Sequence, residues 1–356
     1  MIINGTPDHW HTAVNIAACR AGKDVYTEKP LTLTIEEGKI LRQVVRETGR
    51  IVQVGTQQRS APHFRTACEL VRNGRIGKLR EVAVLLPFYS YKGGPFATQP
   101  VPPKLDWDLY QGQASERPYC RERTHFSFRF WSEYGGGKIT DWGQHHMDIA
   151  FWGMGLEDSG PLQVEAKGFY PNHGKPDCYD NSDRFTAKMK FPGDIDVYFL
   201  VVRDPKYLKS MADGDMTAEE DAELFAGMPE AWRTEQRDGV MFIGEKERLC
   251  ANRGKAYGKA VEELPENPLP ADAVRLYESN DHMANFFECV QSRKQPISTV
   301  DTAHRVITAC HLGNVSMHLN RAVRWDPEKE EIVGDAEAQN SMYVHRQQRK
   351  PYTIEA

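Results

Sequence analysis

The first 60 residues alternate short apolar runs with segments whose apolar residues recur at helical spacing. The apolar runs are typical of short buried strands, at 2–3, 24–27 and 51–54. Between them, segments 6–22 and 34–49 combine a helix-start signal, helical apolar spacing and a closing glycine. The order strand, helix, strand, helix, strand predicts a parallel sheet with right-handed crossover helices.

The carboxyl ends of these strands should form a binding edge, because ligands of open α/β sheets bind there. Polar residues follow each predicted strand: Thr6-Pro7, Glu28-Lys29-Pro30 and Gly55-Thr56-Gln57-Gln58. Thr6 as N-cap and Pro7 as first helical residue predict a helix N-terminus that faces this edge.

A different pattern begins after residue 60. A helix near 62–73 and a strand near 79–86 lead into segment 87–134, which is rich in aromatic residues, Pro, Arg and Asp. Such a segment could contact another subunit or pack on the core as a loop. It could also line a polar, ring-shaped ligand, because aromatic faces stack on sugar C–H surfaces while Arg and Asp bond hydroxyls.

Short alternating segments in the second half predict an open antiparallel sheet, with strands at 162–169, 184–191, 194–202, 239–243 and 248–252. The acidic segment 204–236 interrupts them and is predicted to be a helical, surface-exposed insertion, either a partner site or a solvated flap. Two long helices are predicted at 281–292 and 300–319. From Trp325 onward the chain is polar and irregular, which predicts an extended tail over a neighbouring surface.

The segment 135–148 combines three glycines with a group of ionisable residues. Thr140 or Asp141 can cap a helix start. In a continuous helix Asp141, His145 and Asp148 share one face, at i, i+4 and i+7. A carboxylate one turn from an imidazole suits a general base, because the acid fixes the ring tautomer and stabilises its charged form. The alternative is a buried histidine satisfied within a core helix.

Composition narrows the class of protein. The length of 356 residues suggests two domains, and 40% hydrophobic with 27% charged residues is ordinary for a globular protein. A net charge of -5 argues against nucleic-acid binding. No apolar run reaches the roughly 18 residues that a membrane span needs. The seven cysteines are scattered, which favours free thiols in a reducing compartment.

The motifs in this order resemble those of the Gfo/Idh/MocA oxidoreductases, which are NAD(P)-dependent sugar and cyclitol dehydrogenases and their relatives. The resemblance rests on Glu28-Lys29-Pro30 after a β-α-β unit and on Gly136-Gly137 followed by Asp141, His145 and Asp148. Thr6-Pro7-Asp8-His9-Trp10-His11, segment 55–59 and Trp325-Asp326-Pro327 are similar to one bacterial branch of this family. The resemblance extends over nearly the whole chain.

The resemblance implies an α/β plus α+β fold: an incomplete Rossmann-type parallel sheet, then a larger domain with an open antiparallel sheet. The corresponding boundaries are 1–60 for part of an NAD(P)-binding domain, 61–325 for a substrate and oligomerisation domain, and 326–356 for the tail. It also implies a homo-oligomer formed through the antiparallel sheet.

The site residues implied by the resemblance fall into three groups. Lys29, Asp141 and His145 are expected to be catalytic, with His145 as base, Asp141 orienting it and Lys29 bonding the developing alkoxide. The residues expected along NAD or NADP are Thr6, Pro7, His11, Glu28, Lys29, Pro30 and Gln57. The residues expected to contact substrate are Arg129, Trp142, His146 and Asp148. The alternative for His146 is a metal site with Asp148 and one of His9 or His11. No metal is predicted, because adjacent histidines such as His145 and His146 project in different directions on a helix.

One feature of the family is missing from the sequence. No G-x-G-x-x-G turn, the motif that cradles a dinucleotide pyrophosphate, occurs among the 356 residues. Compared with the family, about three strands and their helices are expected to be absent ahead of Ile2, which should weaken dinucleotide binding. The default compartment is the cytoplasm, or the periplasm if a preceding segment carries a twin-arginine export signal.

Three functions follow from these observations. The first is a dehydrogenase that moves a hydride from a secondary hydroxyl of a sugar, glycoside or cyclitol to NAD(P). The second retains NAD and uses transient oxidation to break a glycosidic bond by elimination. The third is a non-catalytic protein that binds carbohydrate or serves in assembly.

Overall fold

The computed structural model describes the chain except residues 89–92, 173, 183, 203–215 and 355–356. Its strands form a three-stranded sheet and a nine-stranded sheet. The strands are β1 (Ile2–Asn4), β2 (Val25–Thr27), β3 (Val52–Val54), β4 (Leu79–Leu86), β5 (Gln163–Phe169), β6 (Arg184–Phe191), β7 (Ile195–Val201), β8 (Gly239–Gly244), β9 (Arg248–Ala251), β10 (Ala256–Tyr257), β11 (Val323–Asp326) and β12 (Glu331–Ile332).

The α-helices of the described residues are α1 (Asp8–Arg20), α2 (Ile35–Thr48), α3 (Pro62–Arg72), α4 (Trp107–Gln111), α5 (Lys138–Asp141), α6 (Gly143–Met154), α7 (Ala218–Leu224), α8 (Glu230–Arg233), α9 (Lys259–Glu262), α10 (His282–Ser292), α11 (Val300–Leu319) and α12 (Ala336–Gln339). Short 3₁₀ helices lie at Gln57–Ser60, Arg121–Arg123 and His125–Phe130. No helix in the described part of the chain combines the length and hydrophobicity needed to cross a bilayer.

The small sheet confirms the parallel sheet predicted from the first 60 residues. Its order is β1-β2-β3, both neighbouring pairs are parallel, and α1 and α2 are the crossovers. The start of α1 differs from the prediction, because Pro7 occupies the N-cap position and the helix begins at Asp8. The Thr6 hydroxyl instead donates a hydrogen bond to Asn4 Oδ1 at 2.8 Å, so it braces the end of β1.

The large sheet is mixed, whereas the sequence predicted an antiparallel one. Its order is β10-β9-β8-β4-β7-β6-β5-β11-β12, and β4 runs parallel to β7. The other pairs in this sheet are antiparallel. Parallel neighbours need a long connection. Segment 87–162, with α4, α5 and α6, provides it between β4 and the β5–β7 hairpins.

The main core lies on one face of the large sheet. Helices α6 and α11 pack there, and the core includes fully buried Phe151, Phe185, Phe199, Phe242 and Ile307. Burial of such side chains stabilises the fold by roughly 1.5–3 kcal/mol each. This packing fixes α6, the helix that carries His145, against the sheet.

The opposite face of the large sheet is partly covered by the insertion. Leu224 of α7 and Trp232 of α8 are buried against Tyr198 and Met241 of the strands. The prediction of helices in segment 204–236 is confirmed for α7 and α8, and residues 204–215 lie outside the described residues. The insertion therefore contributes to a second apolar cluster.

The C-terminal tail folds back on its own chain, which corrects the prediction of an extended tail over a neighbouring surface. It contains β12 and α12, and Tyr343 and Val344 are buried. Their carbonyl oxygens accept hydrogen bonds from the backbone N–H groups of Ile35 (3.1 Å) and Glu36 (2.9 Å). The tail thereby satisfies donors at the start of α2 that lack an intrahelical partner.

Candidate active site

The three glycines before α5 are required by close contacts. A Cβ on Gly135 would lie 3.2 Å from Asp8 Oδ2 and 3.2 Å from Arg129 Cα, and one on Gly136 would lie 2.6 Å from the Thr140 side chain. Gly137 has φ of 75° and precedes the first residue of α5. The predicted cap by Thr140 or Asp141 is therefore wrong, because the helix begins earlier, at Lys138.

The predicted single helix over this segment is interrupted at Trp142. Helix α5 ends at Asp141 and α6 begins at Gly143, while Trp142 keeps right-handed helical dihedrals of -79° and -34°. The N–H of His145 bonds the Trp142 carbonyl at 3.1 Å, so one turn still separates Asp141 from His145. His145 therefore lies one helical turn after Asp141, as the sequence predicted, although the helix is interrupted at Trp142.

Lys29 and Asp141 meet across the two sheets. Lys29 Nζ lies 2.5 Å from Asp141 Oδ1 and 3.1 Å from the Asp141 carbonyl oxygen. Arg129 Nε donates to the same Oδ1 at 3.2 Å. Burial opposes ionisation of Asp141, but Lys29 and Arg129 outweigh it and lower the pKa of the carboxyl. Asp141 is therefore a carboxylate that fixes two cations, whereas the sequence assigned it to orienting His145.

His145 is a neutral imidazole in this setting. It is 6% exposed, and its Nδ1 has no hydrogen-bond partner among the described residues. Burial, reinforced by the positive charge of Lys29 and Arg253, lowers its pKa well below the usual value, although Asp141 opposes this shift. A neutral ring with an unpaired nitrogen can accept a proton or a hydrogen bond.

Two residues predicted to contact substrate are buried and bonded to protein groups, and their contact with substrate stays a prediction. Asp148 is 1% exposed and forms a two-point ion pair with Arg59, at 2.7 Å to Nε and 2.9 Å to Nη2. His146 is fully buried, and its Nδ1 lies 3.3 Å from Gln58 Nε2. Protein groups therefore bond both side chains, although Asp148 lies three residues after His145 on the same helix.

Trp142 and Arg129, the other predicted substrate contacts, lie beside the catalytic candidates. The rings of Trp142 and His145 have centroids 6.3 Å apart. Arg253, which the sequence did not single out, places its guanidinium carbon 4.2 Å from the centroid of the Trp142 ring. It is exposed at the turn between β9 and β10, and no sequence motif signals that this turn reaches α6.

The predicted cofactor edge contains an exposed row of polar groups. Thr6 and Gln57 are exposed, and Gln57 Nε2 lies 3.3 Å from Glu28 Oε1. A Cβ on Gly55 would lie 3.0 Å from the Glu28 carboxylate, so the glycine permits this approach. Burial raises the pKa of Glu28, and Lys29 opposes the shift. Pro7 is partly exposed beside this row.

His11 and Pro30, also assigned to the cofactor, are buried beneath that edge. His11 Nδ1 lies 2.6 Å from the Pro30 carbonyl oxygen and Nε2 lies 2.8 Å from the Thr6 carbonyl oxygen. These contacts join the segments that follow β1 and β2. His11 therefore joins the two segments of the edge, and its direct contact with a cofactor stays a prediction.

Asp8 lies near these groups, although the sequence motifs assigned it no role of its own. It is 3% exposed, and burial together with the nearby Asp141 raises its pKa to about 7, although Arg129 and Lys29 oppose the shift. Its position directly after Thr6-Pro7 at a sheet edge is a signal that could have identified it.

The parallel sheet with its polar carboxyl edge, joined to a mixed-sheet domain that supplies Asp141 and His145, has the architecture of a two-domain oxidoreductase. Residues 1–56 match the model of an oxidoreductase family with an NAD-binding Rossmann fold. Residues 88–181 and 240–354 match the C-terminal alpha/beta domain of the same family. The chain therefore belongs to the Gfo/Idh/MocA oxidoreductases, which confirms the resemblance seen in the sequence.

Individual relatives agree with this assignment. The chain is 26% identical over 298 residues to a scyllo-inositol 2-dehydrogenase (NAD(+)) of Bacillus subtilis, an alignment that covers 84% of this chain and 69% of that protein. It is 30% identical over 143 residues to a 1,5-anhydro-D-fructose reductase of Ensifer adhaerens, covering 40% of this chain and 34% of that one.

Solved structures show the same fold. An aldose-aldose oxidoreductase from Caulobacter crescentus, in complex with glycerol, superposes with a TM-score of 0.57 at 17% identity. The superposition covers 90% of this chain and 78% of that one.

Proposed function

We propose that this protein oxidises a secondary hydroxyl of a sugar, glycoside or cyclitol with NAD or NADP, or catalyses the reverse reduction. The observation that carries the proposal is the Lys29–Asp141 contact of 2.5 Å beside the neutral, buried His145. Oxidation of an alcohol needs a proton acceptor and a positive charge near the developing alkoxide. The names of the inositol dehydrogenase and the anhydrofructose reductase support this substrate class.

The proposed roles follow from the contacts. His145 accepts the hydroxyl proton at a ring nitrogen, because its neutral form is favoured. Lys29 stabilises the alkoxide, and Asp141 and Arg129 hold Lys29 in place through a shared carboxylate oxygen. Trp142 and Arg129 are proposed to contact the sugar ring and its hydroxyls.

The nicotinamide cofactor would supply the hydride acceptor. Thr6, Glu28 and Gln57, with Pro7 beside them, fit its nicotinamide-ribose end, because the first three offer hydroxyl, carboxylate and amide partners at a sheet edge. Lys29 reaches the same edge from the end of β2, so it would lie between cofactor and substrate. A homo-oligomer formed through the large sheet stays a prediction.

The test is a panel assay of NAD(P)H formation with inositols, aldoses and glycosides, with free sugar release measured in parallel. We expect NADH or NADPH to accumulate with at least one cyclitol or sugar. Sugar release without net NADH would favour the NAD-retaining elimination instead. Binding of carbohydrate by calorimetry, with neither NAD nor NADP binding, would contradict the oxidoreductase proposal for this chain.

The site assignment is tested by Lys29→Ala, with Lys259→Ala as its matched control. Lys259 Nζ makes an exposed ion pair with Glu263, the residue that follows α9. We expect the Lys29 variant to lose at least about 100-fold in kcat/KM, because it removes charge stabilisation of the alkoxide. Equal turnover of the two variants would contradict the assignment.

A further inference from the structure

A cavity of about 590 Å³ lies between β5, α7, the end of α11 and the C-terminal tail. Its wall does not include Lys29, Asp141 or His145, so it is separate from the proposed active site. Cavities that bind small organic molecules commonly measure about 300–1,000 Å³. The size therefore suits a second site for a small molecule.

Aromatic rings and thioether side chains form the apolar part of the cavity wall. Phe169, Tyr170 and Tyr343 line it together with Met317. His318 also lines it, and its ring stands edge-on to that of Tyr343, with centroids 6.3 Å apart. The face of an aromatic ring attracts a cation, because the ring carries negative partial charge above its plane. This wall can therefore hold an organic group that carries a positive charge.

The polar part of the wall carries more negative than positive charge. Three carboxylates, those of Asp180, Glu220 and Glu223, line the cavity together with Lys167. Lys167 Nζ donates a hydrogen bond to the Glu223 carbonyl oxygen at 3.2 Å, in the last turn of α7. The Glu223 carboxylate makes no ion pair with another residue of the described ranges. The excess of carboxylates favours a positively charged ligand.

A buried hydroxyl points to a ligand independently of these charges. Tyr343 is 5% exposed and lines the cavity. Its backbone bonds Ile35 and Ser341, but its hydroxyl makes no hydrogen bond with any residue that the structure describes. Buried polar groups are rarely left without a partner. A phenol both donates and accepts, so a polar group of a ligand in the cavity can bond it.

We propose that this cavity binds an organic ammonium cation. The carboxylates and the ring faces attract the positive nitrogen, and the hydrocarbon part of the ligand packs on Phe169 and Met317. The Tyr343 hydroxyl bonds a polar group of the ligand. Binding involves no covalent step, and the site is independent of the proposed hydride transfer.

Two of the carboxylates also have structural roles, which decides the choice of variants. Asp180 accepts hydrogen bonds from the Ser132 N–H and hydroxyl, each at 2.7 Å. Glu220 accepts one from the Thr217 N–H at 2.7 Å, in the capping box of α7. Removal of either carboxylate would disturb the protein as well as the cavity. Glu223 is therefore the carboxylate to substitute.

The first test compares cations with an uncharged analogue in the wild-type protein. Ligand-observed NMR titrations use choline, benzyltrimethylammonium and spermidine, with dimethylbutanol as the analogue of choline in which carbon replaces nitrogen. We expect choline to bind at least about tenfold more tightly than dimethylbutanol, because the wall attracts positive charge. If none of the three cations binds, or if dimethylbutanol binds as tightly as choline, the proposal is overturned.

The second test places the cation in the cavity. Glu223→Gln should weaken cation binding by about two- to fivefold. Glu219→Gln is the matched control, because Glu219 is exposed on the same helix and does not line the cavity. Equal affinities of these two variants would overturn the proposal.

Tyr343→Phe removes only the unpartnered hydroxyl. We expect it to weaken choline binding by about two- to tenfold and to leave the unfolding midpoint nearly unchanged, because no protein group loses a hydrogen bond. Wild-type affinity in this variant would overturn the assignment of the hydroxyl to the ligand.

Competition experiments separate this site from the active site and from other ligands. Excess NAD should leave the affinity for choline unchanged, because the residues proposed to bind cofactor do not line the cavity. Competition between NAD and choline would place the cation in the active site and overturn the proposal. Binding of glucose or inositol that is weakened by Tyr343→Phe, without binding of any cation, would assign the cavity to a neutral sugar instead.

Discussion

Lys29 Nζ lies 2.5 Å from Asp141 Oδ1, although the two residues are 112 positions apart in the chain. Lys29 follows a strand of the small parallel sheet, and Asp141 ends the short helix α5, which contacts α6 and α11. The ion pair therefore joins the edge proposed to bind the cofactor to the residues proposed to bind substrate, and it fixes the charge that the proposed reaction needs.

Asp141→Asn should reduce both activity and stability. The amide leaves Lys29 and Arg129 without their shared carboxylate, so we expect at least about 100-fold loss in kcat/KM. Because the folded pKa of Asp141 is lowered, its contribution to stability is present at neutral pH and is lost as the pH falls through that value. Urea unfolding between pH 3 and 8 should show a wild-type advantage that shrinks below about pH 4. An advantage that instead grows with acidification would contradict the assignment.

His145 and its neighbour His146 should respond differently to the same substitution. His145→Gln removes the proposed base and should lower kcat by about 100- to 10,000-fold with little effect on the unfolding midpoint. His146 is fully buried against Gln58, so His146→Gln should chiefly lower the midpoint. Steady-state kinetics and thermal unfolding of both variants provide the measurement, and a larger kcat loss for His146 would reverse the roles.

The Arg59–Asp148 pair should matter for stability more than for substrate binding. Both side chains are nearly fully buried, at 4% and 1% exposure. Asp148→Asn removes the two-point charge partner of the buried Arg59 and leaves it the longer Glu157 contact at 3.4 Å, so the loss should approach about 3 kcal/mol. Chemical denaturation measures this loss, and KM of the folded fraction should stay within about threefold of wild type. A selective rise in KM without destabilisation would restore Asp148 as a substrate contact.

Gly135→Ala should disturb the site through Asp8 and Arg129. The added Cβ would lie 3.2 Å from Asp8 Oδ2 and from Arg129 Cα, a separation that forces one of them to move. We expect kcat to fall by about tenfold or more, because small displacements of positioned groups are costly for catalysis. Gly160→Ala is the control, since its Cβ would find its nearest neighbour at an ordinary 3.5 Å. Equal kinetics for the two variants would show that the glycine is not required.

Arg253 should contribute to substrate binding at the edge of the site. Its guanidinium stacks on Trp142, an interaction worth about 0.5–1 kcal/mol at an exposed site. Arg253→Ala should therefore raise KM by about two- to fivefold and leave kcat nearly unchanged, whereas Arg253→Lys should show a smaller effect. A large fall in kcat with unchanged KM would instead place Arg253 at the reacting atoms.

The amino-acid sequence by itself determined the local elements of this protein. Strands β1 to β4 and helices α2, α3, α10 and α11 follow from periodicity, caps and glycine stops, because these signals act over a few residues. The Glu28-Lys29-Pro30 and Asp141-x3-His145 motifs pointed to the family and its chemistry for the same reason. These motifs are defined by residue spacing along the chain, which can be recognised without a folded structure.

Tertiary structure decided which of these groups meet. Lys29 and Arg129 both bond the Asp141 carboxylate. Arg59 forms an ion pair with Asp148. Asp8 is buried beside Gly135. The sequence also did not predict that β4 pairs in parallel with β7. Nor did it predict that the backbone of Tyr343 bonds the start of α2. Charge pairing and desolvation depend on distance in space and on burial, and a linear sequence specifies neither until the chain is folded.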